Sequence, residues 1–190
     1  MTRPLRAPRA VFALVVLGAH AAACDAGVRA SRGHAADATT AYAVQRLALD
    51  TLFNGAEHHE RLVLWSTDAG DGPVLAALGP AVVRPGNPRV IDISKLTPSL
   101  PARVMTEGEL GTLFRNNPDA WAAFFRENPG AAGLVEVSGV QLSADNERAV
   151  TYVGRSCGEH CRNVWRLVAR RRPDGGWAVD TLRWIPVRGA

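Results

Sequence analysis

Arg148-Ala-Val-Thr-Tyr-Val153, Val164-Trp-Arg-Leu-Val-Ala169 and Trp177-Ala-Val-Asp-Thr-Leu182 follow one another in the last third of this chain, and their spacing decides how it folds. Each is short and rich in β-branched or aromatic residues, the composition of strands. Leu134 to Leu142 precedes them with the same character. Ser143-Ala-Asp-Asn-Glu147, the Cys157-Gly-Glu-His-Cys161 segment and Pro173-Asp-Gly-Gly176 separate the four. Connections this short join antiparallel neighbours and leave no room for a crossover. Within the third strand Trp165, Leu167 and Ala169 alternate with Arg166 and Arg170, so an apolar face is expected to meet helices and an arginine-bearing face to meet water.

The helices lie upstream. Val44, Leu47, Ala48 and Leu52 recur at three- and four-residue spacing, which predicts an amphipathic helix over Ala38 to Phe53 that stops at Asn54-Gly55. Thr106 with Glu109 three residues later forms a capping box for a helix running toward Phe114. Asn117-Pro118 interrupts that helix. A second starts near Pro118-Asp119, presents Trp121, Phe124 and Phe125, and ends at Asn128-Pro129-Gly130. Trp121 and Phe125 share a helical face, read as a core or docking face with an exposed aromatic ligand platform as its rival. Arg61 to Ser66 and Arg89 to Ile93 read as strands, Asp68 to Gly72 as a turn, and Val74 to Val83 as a mixed apolar segment. The expected fold is α+β: a two-layer domain over residues 38–190, with a C-terminal four-stranded antiparallel sheet packed against N-terminal and central helices.

The first 23 residues read differently. Arg3, Arg6 and Arg9 precede Val11-Phe-Ala-Leu-Val-Val-Leu17 and an alanine-rich tail, the three-part form of a secretory signal. The apolar run is far short of the roughly 20 residues that cross a bilayer. Ala21-Ala22-Ala23-Cys24 resembles the lipobox of bacterial lipoproteins with alanine in place of the usual leucine, and it also satisfies an ordinary signal peptidase. The expectation is lipidation at Cys24, with soluble export as the alternative. Residues 24–37, rich in Ala, Gly and charge, read as a flexible tether. The leader holds three arginines and no acid, so the chain from Cys24 is close to neutral despite a whole-sequence charge of +4. Arg166 and Arg170-Arg171-Arg172 form the main basic cluster, without the aromatic interleaving of a nucleic-acid reader, and no nucleic-acid partner is expected.

Export places Cys157 and Cys161 in an oxidising compartment, and assigning Cys24 to lipid leaves them an even pair. A structural disulfide is expected, contributing about 2 kcal/mol by loop-closure entropy. The rival is a copper or zinc site, or a reactive thiol pair, drawing on Cys157, His160 and Cys161, with Glu159 and the His58-His59 pair as further donors. The spacing is one residue longer than Cys-x-x-Cys, so neither the thioredoxin nor the haem-attachment signature is present. Ser138 and Ser156 lack a nucleophile elbow. Glu57-His58-His59-Glu60 lacks His-Glu-x-x-His spacing, and no glycine-rich phosphate loop comes after a strand. No catalytic residue and no resident cofactor are assigned.

Trp121-Ala-Ala-Phe-Phe-Arg-Glu-Asn-Pro-Gly130, Val137-Ser-Gly-Val-Gln-Leu-Ser-Ala-Asp-Asn146, Ala149-Val-Thr-Tyr-Val153 and Cys157-Gly-Glu-His-Cys161 together resemble a group of uncharacterised bacterial exported proteins and lipoproteins. The likeness runs from about Val90 to Val179 and includes Val90-Ile-Asp-Ile93. Members often carry glycine after the second cysteine, where this chain has Arg162. The resemblance implies export and strand organisation but no reaction. The resulting expectation is a non-catalytic envelope accessory or interaction protein in the periplasm or cell envelope, membrane-held through Cys24. Its alternative is a metal-handling or thiol-redox protein.

Overall fold

Strand β2, Arg61–Ser66, divides the fold because its alternating side chains serve two different layers. Leu62 and Leu64 are buried in one apolar cluster with the first helix, while Val63 is buried in another with the later helices. In the computed structural model, residues 33–54, 59–66, 75, 78 and 91–186 are described, all within the compact unit Ser31–Ala190. The leader, Cys24, the start of the expected tether, Glu57, His58, the 68–72 turn, most of the 74–83 segment and Arg89-Val90 lie outside the described residues.

Strand β1, His34–Ala35, is followed by α1, Ala38–Phe53, with the bounds expected from its periodicity. Asp37 caps it by accepting from the Thr40 backbone N–H at 2.9 Å. The face carrying Ala41, Val44, Ala48 and Leu49 is fully buried. The expected strand over Arg89–Ile93 gives way, at its described end, to a helix. Asp92 accepts from the Ser94 backbone N–H and nucleates a single helical turn, α2, Ile93–Leu96. A local side-chain cap there outweighs the β-branched composition.

β3, Ala102–Thr106, runs directly into α3, Glu107–Asn116, and then α4, Ala120–Glu127. The predicted capping box is present in full: the Thr106 N–H donates to Glu109 Oε2 at 2.7 Å, and the Glu109 N–H donates to Thr106 Oγ1 at 3.3 Å. Asn117, held extended before Pro118, ends α3, and its Nδ2 donates to the Leu113 carbonyl at 2.7 Å. Asp119 caps α4 through the Ala122 N–H at 3.1 Å.

The remaining strands are β4, Ala131–Val137; β5, Gln141–Leu142; β6, Arg148–Gly158; β7, Cys161–Arg171; and β8, Trp177–Ile185. The expected antiparallel order is present: β6 pairs with β4 and β5 along one edge and with β7 along the other, and β7 pairs with β8. The sheet is larger than expected. β2 lies parallel to both β3 and β4, which extends the meander into one mixed eight-stranded sheet that curls into a half-barrel. The expected single strand from Leu134 to Leu142 breaks at Ser138. The Ser138 N–H still donates to the Tyr152 carbonyl at 2.9 Å, but the return bond from the Tyr152 N–H goes to the Ser138 hydroxyl at 2.9 Å, the hydroxyl donates to the Gly139 carbonyl at 2.7 Å, and Gln45 of α1 donates to the Ser138 carbonyl.

The two-layer expectation is corrected by the same alternation. α1 covers the face that bears Leu62, Leu64, Ala149, Val153, Leu167 and Ala169, whereas α3 and α4 cover the opposite face at Val63, Met105 and Leu134. The arginine-bearing face of β7 is also partly covered, since Val164 is buried with Leu75 and flanked by Tyr152 and Ile185.

Candidate functional site

Leu134, Ser156 and Arg162 occupy one cross-strand row over β4, β6 and β7, on the face that α3 and α4 cover. With Trp65, at the end of β2, they form the floor of a cavity of about 520 Å³. That volume lies in the range of small-molecule sites. One stripe of α3 makes its wall: Glu107, Leu110, Gly111, Phe114 and Arg115 recur at helical spacing and all line it. The junction between β3 and α3 fixes that stripe, because the capping box starts the helix at the last strand residue.

Trp121 closes the aromatic side. Its ring meets Phe114 edge-on at 5.1 Å and 88°, and Phe124 at 5.4 Å and 68°. Phe124 is fully buried, whereas Phe114 is 36% exposed at the rim. A smaller hollow of about 380 Å³ shares Phe114, Trp121 and Glu159 with the first, so these residues stand as a partition between two compartments of one cleft.

Trp65 Nε1 is the conspicuous polar atom. It is buried and has no hydrogen-bond acceptor among the described residues. Leaving such a donor unpaired costs about 1–3 kcal/mol. Arg115 supplies charge from the helix. Its guanidinium lies over Gly111, where an added Cβ would come within 2.9 Å of a guanidinium nitrogen.

The turn between β6 and β7 forms the end wall through Gly158 and Glu159. Cys157 and Cys161 are joined as a disulfide with their Cα atoms 5.0 Å apart, as expected from the sequence. Between the Ser156–Arg162 and Gly158–Cys161 pairs β6 has one residue more than β7, so Cys157 is a bulge residue and the bridge closes the bulge. β4 packs tightly beneath it. Gly133 adopts φ 113°, and a Cβ there would collide with the Ser156 carbonyl and lie 3.2 Å from Cys157 Cβ.

The other residues singled out from the sequence are dispersed. His160 is exposed in the turn, and Ser156 is a buried ladder residue opposite Leu134 and Arg162. His59 packs edge-on against Phe53 at 6.1 Å, next to the end of α1. Among the described residues no three His, Cys, Asp or Glu side chains converge in a metal-binding group. Arg172 pairs with Asp174 at 2.8 Å in the β7–β8 turn. Sequence reasoning reached the partition through Trp121 and the end wall through the cysteine loop, but it did not join them. Trp65, Arg115 and Arg162 were not singled out as binding residues. The mixed stripe Glu107/Leu110/Gly111/Phe114/Arg115, part apolar and part charged with a central glycine, was the signal available.

Among family models, curated proteins and solved structures, none matches the chain.

Proposed function

We propose that this chain is a non-catalytic accessory protein of the bacterial cell envelope, exported and lipid-held at Cys24, that binds a ligand in the cleft between α3–α4 and the Cys157–Cys161 turn. The carrying observation is a cavity of about 520 Å³ lined by Trp65, Phe114 and Trp121 together with Arg115 and Arg162. An apolar aromatic cavity with a few polar groups is the form of a ligand site. Export rests on the Arg3/Arg6/Arg9 leader, the Ala21-Ala22-Ala23-Cys24 sequence and the resemblance to bacterial exported proteins.

Two measurements test the two halves. In a fragment screen by NMR, binders are expected to shift the Trp65 indole N–H signal and to lose affinity in Trp121→Ala; a library that leaves the Trp65 signal unmoved overturns the cleft reading. Intact mass of the membrane fraction is expected to show acyl chains that disappear in Cys24→Ala. No lipid mass, with an unchanged membrane fraction in the variant, overturns the anchor.

A further inference from the structure

The cleft presents two different recognition elements. Trp121 and Phe114 offer ring surfaces in a fixed edge-on arrangement, and Arg115 and Arg162 line the same cavity from α3 and β7. Neither arginine has a carboxylate partner among the described residues, in contrast to Arg46 with Asp50, Arg103 with Glu109 and Arg172 with Asp174. Of the two acids on the lining, Glu107 is already engaged in an interaction of its own. Glu159 stands exposed on the partition shared with the smaller hollow.

We infer that the ligand of this cleft is a small aromatic acid, its planar ring against Trp121 and Phe114 and its anionic group on Arg115 and Arg162. This inference rests on the cleft being a ligand site. Planar guanidinium groups recognise carboxylate and phosphate oxygens through paired donors, and a ring on a tryptophan edge or face is held over a large apolar area. A volume of about 520 Å³ admits a single ring with a short acidic side chain. Gly111 has a definite part in this arrangement, because the space left by its missing Cβ is where the Arg115 guanidinium rests.

The test is titration calorimetry on the exported chain with 3-phenylpropanoate, phenyl phosphate, 3-phenylpropanamide and 2-phenylethylamine. The two anions are expected to bind about tenfold or more tightly than the amide, because a charge-assisted hydrogen bond is stronger than a neutral one. Arg115→Gln and Arg162→Gln are each expected to remove most of that preference by weakening the anions more than the amide, and the better anion identifies carboxylate or phosphate as the group. Amide or amine binding equal to the anions, with Trp121→Ala abolishing it, overturns the acid inference and leaves the cleft reading standing. Binding by none of the four probes overturns both.

Discussion

The two faces of the sheet are packed to different standards. Under α1, the Ala41, Val44, Ala48 and Leu49 face meets Leu62, Leu64, Ala149, Val153 and Leu167, all at 1% exposure or less. Under α3 and α4, the cluster of Val63, Met105, Leu110, Leu113, Phe124 and Leu134 holds an aromatic partition and then opens into the cleft. α1 turns Ala41, Val44, Ala48 and Leu49 toward the strands, whereas α4 brings Trp121, Phe124 and Phe125 to the other face. One face is closed, and the other opens into a cleft.

Truncating the same residue type on each face tests that division, and it carries the largest expected effect. Leu49→Ala, beneath α1, is expected to cost about 3 kcal/mol, because its surroundings are closed and the cavity remains. Leu110→Ala, which borders the cleft and is already 6% exposed, is expected to cost about half as much, since the void merges with existing open space. Chemical denaturation of both variants measures the difference. Equal losses would mean that the α3–α4 face is as closed as the α1 face.

Reduction of the Cys157–Cys161 bridge comes next. Closing a loop of this length restricts the unfolded chain by about 2 kcal/mol. The loss is expected to be local as well as global: backbone amides of the β6–β7 turn lose hydrogen-exchange protection, while α1 amides retain theirs relative to the new stability. Because Gly158 and Glu159 belong to the cleft wall, reduction is also expected to weaken any cleft ligand. A Cys157→Ser/Cys161→Ser variant with unaltered turn protection and unaltered affinity would separate the bridge from the site.

The same contrast explains what the sequence disclosed. α1 and β2 were legible because each carries its own periodicity, and α3 and α4 because Thr106, Glu109, Pro118 and Asp119 are local signals that need no distant partner. β3 was not legible. Ala102–Thr106 has only Val104 and Met105 as strong apolar residues, and it becomes a strand by lying parallel to β2, which stands well before it in the chain. The break at Ser138 was hidden for a related reason, since its hydroxyl competes with the ladder only once Tyr152 is opposite. The cleft draws Trp65, Phe114, Trp121, Ser156 and Arg162 from separate elements, and no local pattern connects them. Only the cysteine loop, local in sequence and bonded in the fold, was readable as a unit.

The smallest expected effect is a pH dependence that belongs to the cleft-bearing face. Glu109 holds α3 at its junction with β3, and the Thr106 backbone N–H, the Thr106 hydroxyl and Arg103 together lower its carboxyl below the ordinary value of 4.5. A carboxylate that is more acidic folded than unfolded contributes stability above the unfolded value, and the contribution is lost as pH falls through the lowered folded value. The stability gap between the parent chain and Glu109→Ala is therefore expected to be constant near neutrality and to narrow below about pH 4.5. Thermal melts of both proteins across that range measure it. Leu49→Ala removes no titrating group, so its gap is expected to stay flat over the same range. A parallel narrowing there would show that acid loosens the whole domain, leaving the start of α3 with no special sensitivity.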